Sequence, residues 1–344
     1  MNILDKLINF FMNSNIYEEG SYRAYYSIFK KGPFYPEITA YAISLCCILY
    51  NVKKENIFLE RAQICSKYMM SKNIDGGIRG IDGNILYTFD TGIYISSMFD
   101  LFNITKNEIY KNEAIKSLKW ICSMWDGKKF KPTNTIIIDN NWYNSSSVHL
   151  SKIVIPILKA YINLNDNKYK IIAVKLLNEY KKLQTDKGNF LINKEINKTL
   201  IHPHCYATEA FLFAYYTLKK SEYLNIIDNS INWLSKIQNS DGSFYDEYIY
   251  NTKMNNTIPN QKKIKRTDAT AQITRIWKVM GKNEDGINKA YNFLNKQIDN
   301  KGLKLFNNSR LGYIFPKLYS WPLFFYIHSL LIPFGQIKSI EEVF

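Results

Sequence analysis

The chain lacks most of the short motifs that announce a reaction. It has no GxGxxG or GxxxxGKS/T loop to cradle a phosphate and no GxSxG elbow to present a serine. Nucleotide-dependent chemistry and serine hydrolysis on that scaffold are therefore disfavoured. There is no HExxH helix and no Cys-rich pattern, so neither a metal site nor a cofactor is expected. The five cysteines (Cys46, Cys47, Cys65, Cys122, Cys205) are odd in number and include no CxxC pair, which argues against a disulfide framework. Cys46, Cys47 and Cys65 instead fall on apolar stretches, where a free thiol behaves as a small hydrophobe. Long apolar runs are also missing: the longest, 322–333, contains His328 and is too short to span a bilayer. The N-terminal stretch MNILDKLINFFMN carries Asp5 and no basic leader, so it reads as an amphipathic helix rather than a signal peptide. A soluble, cytoplasmic protein without a membrane partner is the expectation.

What the chain has in abundance is apolar and aromatic surface. Of its 344 residues 46% are hydrophobic, and 26 Tyr with 20 Phe help raise the aromatic share to 15%. Such rings serve a core, and they also serve as stacking platforms in a sugar-binding cavity. The formal charge of +15 could attract an acidic partner. The lysines are scattered, however, with the densest cluster at Lys262, Lys263, Lys265 and Arg266. No basic stripe interleaved with exposed aromatics marks a nucleic-acid surface. The excess reads as solvated background or as attraction for an acidic substrate.

A glycine-anchored turn recurs along the chain. The glycines at 20, 77, 127, 188, 242 and 302 are separated by 57, 50, 61, 54 and 60 residues. A period of this size made of helical pairs describes units that stack to bury a shared core. Length alone would allow about two domains of roughly 150 residues, but the even spacing leaves no boundary, so 1–344 is read as one domain. Between the turns two kinds of segment alternate. The segments 35–50, 88–102, 148–164, 202–218, 267–280 and 319–332 are apolar nearly all round, as helices surrounded by protein are. The segments 56–72, 108–124, 169–184, 223–238 and 284–297 are amphipathic and keep a solvent face. The fold class that follows is all-α, with six inner and six outer helices in a ring closed by the amphipathic segment 2–13. The glycines are expected just past the ends of outer helices, at the left-handed C′ position, on the face away from the mouth.

The inner segments begin with an unusual density of polar residues: YPEITAY, YTFDTGIY, SSSVHLSK, HPHCYATEA, KRTDATAQ and LYSWPLF. In a ring these starts converge on one cavity mouth, bordered by long connections at 21–34, 78–87, 128–147, 189–201, 243–266 and 304–318. A charge buried there needs a partner, water or a ligand. The candidate catalytic residues are Asp90, Asp268, His204, Glu37 and His149. Candidate substrate-binding residues are Tyr35, His202, Tyr206, Glu209, Arg266, Gln272 and Trp321. Asp90 and Asp268 could equally cap their helices, and Glu37, next to Pro36 at a helix start, could simply complement the dipole.

The paired helices and these polar starts resemble the (α/α)6 toroid, or six-hairpin glycosidase-like, proteins. Those include unsaturated glucuronyl hydrolases, N-acylglucosamine and cellobiose 2-epimerases, and polysaccharide lyase toroids. YTFDTGIYISSMFDLF is similar to the DTG-bearing inner helix of the glucuronyl hydrolases, which makes Asp90 an acid/base candidate. HPHCYATEAFLFAY is loosely similar to the His- and Glu-bearing helix of the epimerases, with a longer His204-to-Glu209 spacing. The turns QNSDGSF and NIDGG resemble those of terpene cyclase and prenyltransferase toroids, but no DxDD motif accompanies them. The resemblance implies an enzyme acting on an acidic, uronate-containing oligo- or polysaccharide through paired carboxylates, Asp90 with Asp268 and Glu37 in reserve, with Arg266 meeting the uronate. The alternatives are a lyase or epimerase in which His204, His149 or Tyr206 abstracts a proton, and a toroid that binds a glycan or protein without catalysis.

Overall fold

A computed structural model describes residues 2–27, 29–81, 83–137, 141–252, 254–299, 302–304, 317–337 and 339–343. Among these, twelve α-helices form six hairpins. The inner helices are α2 (Pro36–Lys53), α4 (Thr88–Thr105), α6 (Val154–Leu164), α8 (Ile201–Leu218), α10 (Thr267–Met280) and α12 (Ser320–Leu331). The outer helices are α1 (Ile3–Asn13), α3 (Asn56–Ser71), α5 (Glu108–Ser123), α7 (Asn167–Tyr180), α9 (Ser221–Ile237) and α11 (Glu284–Lys296). Inner helices touch in the order α2, α4, α6, α8, α10, α12, and α12 returns to α2. The chain is therefore a closed (α/α)6 toroid. Burial follows the two sequence patterns: every residue of α4 from Thr88 to Phe99 is buried, whereas α5 buries only Tyr110, Ala114, Ser117, Leu118 and Ile121.

The third inner segment departs from a single helix. Val148–Ile153 is a 3-10 helix that runs into α6. Pro156 lacks the N–H an α-helix would need deeper in its interior, and starting α6 at Val154 puts it in the first turn, where that donor has no partner to lose.

Closure of the ring rests on α1. Its N-terminus is capped by the Asn2 side chain, which accepts from the Asp5 N–H at 2.8 Å. The Phe11 ring stacks on Tyr22 (5.1 Å, 8°) and meets the edge of Phe324 on α12 (5.0 Å, 89°). Arg61 donates to the Tyr22 hydroxyl and to the Met12 carbonyl, both at 3.1 Å. Alongside, Leu318–Tyr319 pairs antiparallel with Tyr25–Tyr26, joining the two ends of the chain.

The glycine turns are not where helix-ending glycines would sit. The outer helices end on residues such as Lys72 and Met124 in right-handed conformation, and the glycine follows at the corner of a short β-hairpin. In one of them Asp75 (φ 50°) and Gly76 (φ 103°) connect the paired residues Ile74 and Gly77, the two-residue corner with both φ positive that favours Asp-Gly. Close approach adds a second requirement. A Cβ on Gly76 would stand 2.6 Å from the Lys116 carbonyl oxygen of α5, and one on Gly242 would overlap the Lys289 carbonyl of α11. These two turns are thus docked on the next outer helix. The hairpin then runs on towards the next inner helix, since Gly77–Arg79 pairs with Leu86–Tyr87. The turns accordingly stand at the mouth end, not on the opposite face. Residues 300–301 of the last turn, and 305–316 of the connection after it, lie outside the described residues.

Phe11 is fully buried between α1 and α12. Phe11→Ala is expected to lower stability by about 3–5 kcal/mol in chemical denaturation. A loss under about 1 kcal/mol would mean that the ring closes without help from α1.

Candidate active site

Helical periodicity sorts the barrel interior into layers. Positions i, i+4 and i+7 share a face. Inward along α8 these are His202, Tyr206 and Glu209; along α10 they are Asp268, Gln272 and Arg275; along α12, Trp321, Phe325 and His328; and along α2, Glu37, Tyr41 and Ser44. The first of each set stands at the mouth. The second set makes a largely aromatic floor, with Tyr41 edge-on to Phe325 (5.6 Å, 79°). The third set is an ionic junction below it.

Above the floor lies a cavity of about 400 Å³. Every hairpin contributes to its wall: Tyr35 and Glu37, Gly80 with Ile81 and Tyr87, Asn141 with Tyr143 and Asn144, His202 and Tyr206, Arg266 and Asp268, and Trp321. Seven of these are candidates from the sequence. Gly80, Ile81, Tyr87, Asn141, Tyr143 and Asn144 are not. The aromatic–polar run Trp142-Tyr143-Asn144 within the long 128–147 connection was the available signal.

The three carboxyls near the mouth have different environments. Glu37 accepts from the Trp321 indole N–H at 3.1 Å, and burial raises its carboxyl from the ordinary 4.5 to about 7. Asp90 is wholly buried and is raised well above the usual range, by burial first and by the neighbouring Glu37 charge second. The Tyr143 hydroxyl donates to Asp90 Oδ1 and receives a bond from the Tyr35 hydroxyl at 3.4 Å, so Asp90 reaches the cavity through Tyr143. The second oxygen, Oδ2, has no hydrogen-bond partner among the described residues. Burial also acts to raise Asp268, but the Arg266 guanidinium outweighs it and holds that carboxyl low. Arg266 grips Asp268 with Nε (2.8 Å) and Nη2, and the Ala269 N–H donates to it at 2.7 Å. None of the three is an N-cap; those positions are Tyr35, Tyr87 and Arg266, with no capping side chain.

The histidines separate by geometry. His202 lines the cavity with Nδ1 3.9 Å from Asp268 Oδ2. Burial lowers it to about 4 despite the Asp268 charge, so it is neutral. His204, two residues on, points about 200° away around the helix. It lies outside the inner ring, against Trp233 (4.7 Å), where its Nδ1 accepts from the Phe190 N–H at 3.1 Å. His149 is buried under the site, stacked on Tyr143 (5.3 Å, 25°) with Nδ1 2.6 Å from the Ser147 hydroxyl. Glu209 is in the junction below the floor, bound by Lys152 Nζ at 2.6 Å and by Arg275 Nη2. Gln272 is buried one turn below Asp268, beside His202. The structure thus brings Tyr35, Glu37, His202, Tyr206, Arg266, Asp268 and Trp321 to one cavity, with Asp90 and His149 behind Tyr143, and sets His204 and Glu209 apart from it.

Among the described residues no group of three His, Cys, Asp or Glu side chains is placed to hold a metal ion. No helix among them is long and apolar enough to cross a membrane.

The sequence matches no protein-family description, and no curated protein matches it. The backbone does have clear likenesses. Cellobiose 2-epimerase from Bacillus thermoamylovorans superposes with a TM-score of 0.76, at 11% identity, over 95% of this chain and 98% of that one. The chain shares the six-hairpin toroid fold. An unsaturated glucuronyl hydrolase from a Bacillus species, responsible for the degradation of glycosaminoglycan, gives 0.72 at 11% identity, covering 95% of this toroid and 94% of that chain. A glycoside hydrolase family 76 mannosidase from Bacteroides thetaiotaomicron gives 0.64 at 11% identity, over 96% and 97% of the two chains.

The raised Glu37 carboxyl carries a stability signature. Folded Glu37 keeps its proton between about pH 4.5 and 7, where the unfolded chain releases it. Its contribution is fully present below about 4.5 and is lost as pH rises through about 7. In Glu37→Gln the decline of melting temperature across this window is expected to flatten; an unchanged pH profile would show that Glu37 titrates normally.

Proposed function

We propose that this toroid is a glycoside hydrolase that acts at the end of an oligosaccharide chain. The observation that carries the reading is a pair of buried carboxyls held towards protonation, Glu37 at the wall of an aromatic-lined cavity and Asp90 directly behind the Tyr143 hydroxyl. Glycoside cleavage needs one carboxyl that keeps its proton for the leaving oxygen and another that ionises to activate water or attack the sugar. Asp90, the more strongly raised, is the source of the acid proton and acts through Tyr143: the Tyr143 hydroxyl gives its proton to the leaving oxygen and takes the Asp90 proton in its place. Glu37, with a value near neutrality, is the second carboxyl. Asp268 suits that role less, because Arg266 and the Ala269 N–H already occupy its oxygens.

The same ion pair bears on the substrate. The Arg266 charge is met by Asp268, so the cavity accepts an uncharged sugar as readily as a uronate. Trp321, Tyr35 and Tyr87 supply ring faces and edges of the kind sugars stack on. Among the described residues, walls from all six hairpins and an aromatic floor close the cavity below its mouth, which favours a chain end. That the similar structures are named for cellobiose epimerisation, mannoside and glucuronide chemistry supports a saccharide ligand. Against a purely binding role, none of the mouth carboxyls is used up as a helix cap.

One observation favours a second reading, sugar epimerisation. His202 is neutral, faces the cavity, and its Nδ1 has no hydrogen-bond partner among the described residues. Such an imidazole could take a proton from a sugar carbon. Solvent deuterium appearing in recovered sugar, without new reducing ends, would select this chemistry.

Screening oligosaccharides for new reducing ends tests the leading reading. With a turned-over substrate, Asp90→Asn and Glu37→Gln are expected to lower kcat by about 10²–10⁴-fold while the fold is retained. Full turnover in Asp90→Asn would remove that residue from the mechanism.

A further inference from the structure

A row of half-buried aromatic rings leads out of the cavity along the seam where the ring of helices closes. At the cavity wall Trp321 donates to Glu37 and meets Tyr35 edge-on (5.5 Å, 72°). Tyr319 follows, 6.4 Å from Trp321 with the planes 35° apart, and Tyr25 stands 5.2 Å beyond Tyr319 at 39°. Tyr319 and Tyr25 are directly opposed residues of the antiparallel seam, so backbone pairing fixes the spacing of the row. The rings that seal the toroid below, Phe11, Tyr22 and Phe324, are buried, whereas these four keep part of their surface exposed. Neither the Tyr25 nor the Tyr319 hydroxyl makes a hydrogen bond to the described residues. Arg266 and Asp268 act electrostatically on the Tyr319 hydroxyl, which agrees with its place at the edge of the cavity.

We propose that Tyr319 and Tyr25 form an outer sugar subsite, on which the units beyond the one held in the cavity stack as the oligosaccharide leaves the mouth. The proposal rests on the reading that the cavity binds a saccharide. A pyranose ring presents a C–H face rimmed by hydroxyls. A half-exposed tyrosine answers both features, with an apolar face and an available O–H. The paired strands and the buried rings beneath hold the ends of the chain together, and the Lys317 ammonium lies over the Tyr25 ring at 4.9 Å, a contact that a stacking sugar would displace.

The test compares binding of cello- and manno-oligosaccharides of two to six units to the full chain by titration calorimetry, with reducing-end release followed in parallel. Wild-type affinity is expected to rise with length beyond the disaccharide. In Tyr25→Ala the ratio of tetrasaccharide to disaccharide affinity is expected to fall about tenfold, and Tyr25→Phe, which keeps the ring, to preserve it. If alanine lowers the melting temperature, Tyr25→Leu gives the same comparison with the bulk retained. Length-dependent binding without turnover would sink the hydrolase reading and leave the subsite standing. The subsite is overturned by wild-type affinity that ignores length, by no binding to any of these oligosaccharides, or by an unchanged ratio in Tyr25→Ala.

Discussion

The toroid depends on a meeting of its two ends. Five of its hairpins are continuous in sequence, and the sixth is assembled from α12 and α1. Without α1, the apolar α12 would present Phe324 to solvent, and the inner helix before it would rest on an unsupported neighbour. The Phe11–Tyr22–Phe324 cluster and the short seam above it remove that edge. Because the seam lies directly above the cluster, the same contact also places Tyr35 and Trp321, from opposite ends of the sequence, on one wall of the cavity.

Within that frame, chemistry is divided by depth. The mouth layer holds carboxyls whose protonation is set by burial in two cases and by a guanidinium in the third. The floor of Tyr41, Tyr206 and Phe325 separates this layer from the junction where Glu209 joins Lys152 and Arg275. Removing one partner from such a buried pair is strongly destabilising. Glu209 therefore reads as a staple between three neighbouring inner segments, although it shares a helix face with His202.

The fold was legible because two burial patterns alternate at a steady period: all-round apolarity in α4 against the striped α5 is a signal any window can detect. The glycines marked that period correctly but not its geometry. Whether Gly76 ends a helix or turns a hairpin depends on pairing with Leu86–Tyr87 and on the approach of α5, neither of which is local. The polar starts pointed to the mouth, and Glu37, Asp268, Arg266 and Trp321 do line it. His204 was separable from His202 by periodicity alone, since residues two apart cannot share a helix face. The neutralisation of Arg266 by Asp268 and the bond from Tyr143 to Asp90 were not legible. Both depend on rotamers and, for Tyr143, on a loop far away in sequence.

The far ends of the inner helices have a property of their own. Lys54, Lys106, Asn165 and Lys219 follow α2, α4, α6 and α8 in left-handed conformation, where α10 uses Gly281. A side chain there costs up to about 1 kcal/mol relative to glycine. These positions lie on the face opposite the cavity mouth. The protein thus holds a reserve of thermal tolerance that glycine substitutions can release one helix at a time, leaving the ligand-facing surface unaltered.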